Sequence, residues 1–157
     1  MSEVRKAKDY LSKIGRCDDR INAMLEEVDN LYAMATKITP TLKQDVVSGG
    51  GNQDKIGDAV SRIVDLKAEI NRRIDYYVDL KREANALLDQ VENHLHYIVL
   101  YRRYMLGESF EQIASEINYT VRWTCSLHGR ALEAFAIVLA DKYTVEAGKA
   151  EKGQNGA

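Results

Sequence analysis

The sequence predicts an all-α protein: a long antiparallel helical hairpin or coiled coil followed by a C-terminal helix-turn-helix domain. Three observations predict it. Apolar residues recur every three or four positions along two long stretches, the period that a helix brings to one face. Only one proline and two phenylalanines occur, and 29% of residues are charged, which suits a mostly helical chain. Near the C-terminus two short apolar stripes are separated by a tight turn, and the second carries a polar outer face.

The first segment runs from about Glu3 to Ile38. Leu11, Ile14, Asp18, Ile21, Leu25, Val28, Tyr32 and Ala35 alternate in threes and fours, a heptad-type stripe. Asp18 interrupts it beside Gly15, and a break or kink is expected there, because glycine inside a helix costs about 1 kcal/mol against alanine. Pro40 predicts that the helix stops near Ile38. Residues 39–53 then form a connector whose run Ser48-Gly49-Gly50-Gly51-Asn52 has linker composition. A glycine triplet can cradle phosphate, but no strand precedes this one and no Gly-Lys-Ser/Thr follows it.

The second long segment begins at Asp54, a capping residue. Ile56, Val60, Ile63, Lys67, Ile70, Ile74, Tyr77, Lys81, Ala84, Leu88, Val91, Leu95 and Ile98 continue the same alternation. A helix of about 40–50 residues would be roughly 60–75 Å long. The first helix folds back along part of this stripe and leaves the rest uncovered. A homodimer or higher oligomer held by the second helix, with Ile70 and Ile74 in the contact, is therefore expected. Lys67 and Lys81 mark layers that set register or stay partly exposed. At Glu92-Asn93 the helix either breaks or runs on. The expected division is a hairpin at 3–92, a helix-turn-helix domain at 93–143 with its own small core, and a tail at 144–157 of disordered composition.

Within the C-terminal domain, Leu95, Ile98, Val99, Tyr101, Tyr104 and Met105 lie on a supporting helix that ends at Leu106-Gly107. Ser109 is an N-cap, and Gln112 three residues on completes a capping box. Phe110, Ile113, Ala114 and Ile117 form the stripe of a short helix. Asn118 suits the left-handed residue that ends it. Thr120 caps the next helix, whose inward stripe is Thr124, Leu127, Ala131, Leu132 and Phe135. In a helix-turn-helix the second helix enters the major groove of double-stranded DNA. Val121, Arg122, Cys125 and Ser126 then face base edges, with Arg122 suited to guanine and Val121 to a thymine methyl. Thr120, Trp123 and Arg130 are placed to meet the sugar-phosphate backbone. The other reading of Trp123 is packing against the preceding helix.

Charge tempers this reading. The net charge is −2, and between Asn118 and Ala131 the charged residues are Arg122 and Arg130 alone. Arg102 and Arg103 add to this strip, while Glu108, Glu111 and Glu116 offset it. Phosphate neutralisation by one copy is then small, and affinity requires a dimer or a second protein.

The stretch from Val99 to Phe135 resembles region 4 of bacterial sigma factors. The resemblance is carried by Arg103-Tyr104, Phe110-Glu111-Gln112-Ile113-Ala114, Asn118-Tyr119-Thr120 and Arg130-Ala131-Leu132. From about residue 5 to 140, including Tyr10-Leu11-Ser12-Lys13-Ile14 and Asp54-Lys55-Ile56-Gly57-Asp58-Ala59-Val60, the chain is similar to a family of small phage and prophage proteins of Gram-positive bacteria. That family is grouped with late-transcription regulators. The resemblance implies a DNA-binding transcriptional regulator in the cytoplasm of a bacterial host, with RNA polymerase as a further partner. The sigma-like family tends to carry Arg and Gln where this chain has Cys125 and Ser126, a departure that bears on which promoter element is read. The alternative is a non-enzymatic coiled-coil interaction protein that docks on RNA polymerase or on a phage assembly component, DNA packaging included.

Other classes find no support in the residues. No nucleophile stands at working distance in sequence from a base, so an enzyme is not expected. His94 and His96 are two apart and face different ways on a helix, so neither a metal nor another cofactor is expected. Cys17 and Cys125 lack any CxxC partner, which fits reduced thiols in a cytoplasmic setting. No run of about 18 apolar residues exists to cross a membrane, and the start of the chain does not resemble a secretory signal.

Overall fold

The structure is a computed structural model that describes residues 2–42 and 51–154. The fold is all-α: a long antiparallel helical hairpin followed by a helix-turn-helix. The described residues form five α-helices and no strand: α1 (Glu3–Leu42), α2 (Gly51–Leu88), α3 (His94–Leu100), α4 (Phe110–Ile117) and α5 (Val121–Gln154). Tyr101–Met105 extends α3 as a π-helical turn, in which the Leu106 N–H reaches back to the Tyr101 carbonyl at 3.2 Å. No helix among the described residues is long and apolar enough to cross a membrane.

The chain divides into two compact units. One is Cys17–Val78, where α1 and α2 pair. Its core is Ile21 and Val28 of α1 against Ile63, Leu66 and Ile70 of α2, with Met24, Leu31 and Tyr77 at its edge. Arg62 pairs with Glu27 at 3.3 Å, and the Lys67 amine donates to the Tyr32 hydroxyl at 2.7 Å. Only part of each predicted stripe lies inside. Leu25, Tyr32, Val60 and Ile74 are exposed, and Leu66, from outside the predicted stripe, is buried instead. Two paired helices each bury one strip, and a column set one step around the helix falls outside it. Ile70 is therefore part of the hairpin core rather than of a contact with a second subunit. Asp18 is exposed, and α1 runs uninterrupted past Gly15, contrary to the expected break. Its carboxylate meets water, so the helix has no buried charge to avoid.

The other unit is Met1–Arg16 with Asp79–Ala157. The division expected at 92/93 thus falls elsewhere. Tyr10, Leu11 and Ile14 from the start of α1, and Ala84, Leu87 and Leu88 from the end of α2, are buried, as are Phe135 and Leu139 of α5. The Tyr10 ring lies 6.1 Å from that of Phe135. Its hydroxyl donates to the Glu83 carboxylate, which Lys142 also binds at 2.7 Å. The helix does break before the C-terminal segment. α2 ends at Leu88, and Asn93 caps α3 by accepting the His96 N–H at 3.1 Å.

Three boundaries differ from expectation. α1 continues through Pro40 to Leu42. A proline this close to a helix end forfeits one backbone bond, to the residue 36 carbonyl, and only two residues of helix follow it. α2 begins at Gly51, so of the connector expected at 39–53 residues 39–42 and 51–53 are helical, and residues 43–50 lie outside the described residues. The stretch expected as a disordered tail continues α5 to Gln154, with residues 155–157 outside the described part. Ala147, Lys149, Ala150, Glu151 and Lys152 are strong helix formers, and lengthening an existing helix needs no new nucleus.

The hairpin core predicts a contrast. Ile63→Ala should lower stability to urea by about 2–4 kcal/mol. Ile137→Ala, on the solvent side of α5, should change it by less than about 0.5 kcal/mol.

Candidate nucleic-acid interface

The site begins with a cap. Ser109 Oγ accepts the Gln112 N–H at 3.2 Å, and Gln112 Oε1 accepts the Ser109 N–H at 2.8 Å, closing the predicted capping box. α4 lasts eight residues and ends at Asn118, which stands in the left-handed region at φ 58°, ψ 42°. The Tyr119 N–H then returns to the Ala114 carbonyl at 3.0 Å. Ala114 is buried, so the next helix can approach closely. Thr120 starts α5: its Oγ1 accepts the Trp123 N–H at 3.1 Å. Its carbonyl accepts the Thr124 hydroxyl at 2.9 Å, so this fully buried hydroxyl is satisfied within its own turn.

Packing fixes which way α5 faces. Val99, Ile113 and Leu127 form a core with Leu95, Phe110 and Ile117 around it. Thr124, Ala131, Leu132 and Phe135 are also buried, as the inward stripe requires. The seven candidate contact residues, Thr120, Val121, Arg122, Trp123, Cys125, Ser126 and Arg130, are all exposed. They share the outer side of one short stretch of helix.

Trp123 does not bury itself against the preceding helix: 41% of it is exposed. Its ring centroid lies 6.0 Å from that of Tyr119, and the Arg130 guanidinium stands 4.5 Å above it. Arg130 is thereby held over an aromatic face. Arg122 has no ion pair or ring contact among the described residues and projects its donors to solvent. Arg102 and Arg103 are engaged elsewhere. Arg102 pairs with Glu108 at 3.1 Å and Glu116 at 3.6 Å. Arg103 donates to the Glu108 carbonyl at 2.9 Å and lies 4.6 Å over the Phe110 ring. Arg122 and Arg130 therefore carry the basic character of this face.

His128, which the sequence reading passed over, lies behind it. Thr124, His128, Ala131 and Phe135 recur at four, three and four, a signal that would have placed it inward. It is buried, its Nε2 is hydrogen-bonded to the Tyr104 hydroxyl at 2.9 Å, and the Phe110 ring meets it edge-on at 5.1 Å. Burial, aided by the charges of Arg103 and Lys8, lowers its pKa from 6.5 to about 4. Burial raises the Tyr104 pKa from 10.0 to about 12, so both groups are neutral near pH 7.

This pair predicts a pH dependence. The unfolded chain protonates His128 from about pH 6.5 downward, whereas the folded chain resists until about pH 4. Stability should therefore fall as pH drops through that window. Hydrogen bonds from Lys142 and Tyr10 hold the Glu83 pKa below its ordinary 4.5, and its loss comes only at lower pH. Thermal melts of His128→Gln should lose the first decline and keep the second.

Comparison with protein-family models, with curated proteins and with solved structures finds no match for this chain.

Proposed function

We propose that this chain is a phage or prophage transcriptional regulator that binds double-stranded DNA through the outer face of α5. One observation carries the reading: the left-handed turn at Asn118 joins the eight-residue α4 to the start of the 34-residue α5, and their shared core leaves the candidate contact residues facing outward together. In the major groove Arg122 donates to a guanine edge, Val121 covers a thymine methyl, and Cys125 and Ser126 line the same base edges. Thr120, Trp123 and Arg130 meet the sugar-phosphate backbone. The resemblance to sigma region 4 and to small phage proteins gives the regulatory role and the bacterial cytoplasm. No catalytic step and no cofactor form part of this proposal.

The charge bounds the affinity. With Arg122 at a base edge, Arg130 is the arginine that neutralises a phosphate, giving a salt slope near −1 for one copy, weak for a specific binder. A second copy or RNA polymerase supplies the remainder.

A second reading has its own observation in favour. Trp123, Arg130 and Ile137 are spaced by seven along α5, with Tyr119 beside Trp123, and Ile137 is 67% exposed. Aromatic residues and arginine are enriched at protein interfaces and dominate their energetics. This favours a non-enzymatic interaction protein whose α5 docks on RNA polymerase or on a phage assembly or packaging component.

Titration of variants against duplexes from the encoding genome and against random duplexes, at several salt concentrations, separates the two. Arg122→Ala should lose about 1–3 kcal/mol on the preferred site and relax one base position. Arg130→Ala should weaken all duplexes alike and reduce the salt slope by about one. If wild type binds no duplex even at low salt and with polymerase present, the docking reading replaces the DNA reading.

A further inference from the structure

We infer that the Cys17–Val78 unit pairs with a second copy of itself, antiparallel, along a seam on the solvent side of α2. This goes beyond the DNA reading and does not depend on it.

Val60, Val64, Lys67, Asn71, Ile74 and Val78 follow one another at spacings of four and three, so they form a single stripe along about 27 Å of helix. It is not the stripe that packs on α1, which uses Ile63, Leu66 and Ile70. All six residues are exposed; the apolar four are Val60 at 51%, Val64 at 60%, Ile74 at 39% and Val78 at 45%. Four branched apolar side chains in line on a solvent face is more than the isolated exposures that surfaces normally carry. The neighbouring helix widens the patch. Lys67 touches Tyr32 of α1, which is itself exposed.

The order along the seam identifies the occupant. From Val60 it reads apolar, apolar, polar, polar, apolar, apolar, the same in both directions about Glu69. A two-fold contact requires this, because residue i meets j while j meets i. Antiparallel pairing then layers Val60 on Val78 of the second copy, Val64 on Ile74, and Lys67 on Asn71. Each apolar side chain meets an apolar one, and the lysine meets an amide oxygen. Ala68, beside the two-fold, lets the backbones approach. Parallel pairing would set Lys67 against Lys67 and gain none of this.

The test uses the full chain with Cys17→Ser and Cys125→Ser. Sedimentation at about 100 µM should give a dimer, a concentration at which even a micromolar dissociation constant keeps the pair assembled. Val64→Asp with Ile74→Asp should give a monomer with unchanged helical circular dichroism, because both side chains are exposed. Val64→Ser with Ile74→Ser, a milder pair, should weaken dimerisation at least tenfold. Oxidation of Val64→Cys with Ile74→Cys should yield a covalent dimer, and Val64→Cys alone should not. A monomeric wild type, a dimer indifferent to both substituted pairs, or cross-linking by Val64→Cys alone as efficient as by the pair would each overturn the proposal. A monomeric wild type would leave RNA polymerase as the source of the remaining duplex affinity, whereas the duplex titration of the α5 variants reads the DNA contact itself, so the two readings fail separately.

Discussion

The outer face of α5 depends on one residue standing in the left-handed region. At φ 58°, Asn118 reverses the chain within a single residue and lets the Tyr119 N–H close back on the Ala114 carbonyl. Asparagine accepts this conformation at little strain, whereas a β-branched residue would not. Because the turn is tight, Thr120 lies where its hydroxyl oxygen and carbonyl organise the first turn of α5. The angle of α5 over α4 is then set by Ile113 and Leu127 meeting Val99, with Ala114 small enough to allow it. The seven outward side chains inherit their placement from this chain of local constraints.

Electrostatics shape what that face can do. The π-helical turn at Tyr101–Met105 offsets the end of the supporting helix. There Arg102 is held by two glutamates, Arg103 by a backbone carbonyl and the Phe110 ring, and Tyr104 by His128. These arginines tie the supporting helix to α4 and the loop before it. On the α5 face, Arg122 makes no ion pair or ring contact among the described residues, and Arg130 is preoriented by Trp123. A face with one free and one stacked arginine favours readout at few positions over strong non-specific attraction, in keeping with a chain of net charge −2.

Much of this was legible in the sequence because it is governed by local rules. Ser109 with Gln112, Asn118, Thr120 and the inward stripe from Thr124 to Phe135 each follow from hydrogen bonding or periodicity within a few residues. The parts that were not legible depend on longer-range packing. Periodicity showed that α1 and α2 had apolar stripes, but not which column would pair within the hairpin, so Leu66 entered the core and Val60 and Ile74 stayed outside. Nothing local indicated that Tyr10 and Glu83 would share a unit with Phe135 and Lys142. Pro40 predicts a stop near Ile38, and Gly148 opens a stretch of tail composition. At a helix end, and in a segment rich in alanine, lysine and glutamate, neither residue outweighs the hydrogen bonds already in place.

The central claim is that the surface from Tyr119 to Arg130 is a nucleic-acid interface built by the Asn118 turn. Backbone amide chemical shifts, followed by NMR as duplex DNA is added to the full chain at low salt, test it directly. The account predicts shifts concentrated in residues 119–130, with the Trp123 indole signal among the largest, and little change along α1 and α2. Absence of shifts on addition of duplex, or shifts centred away from the start of α5, would contradict it.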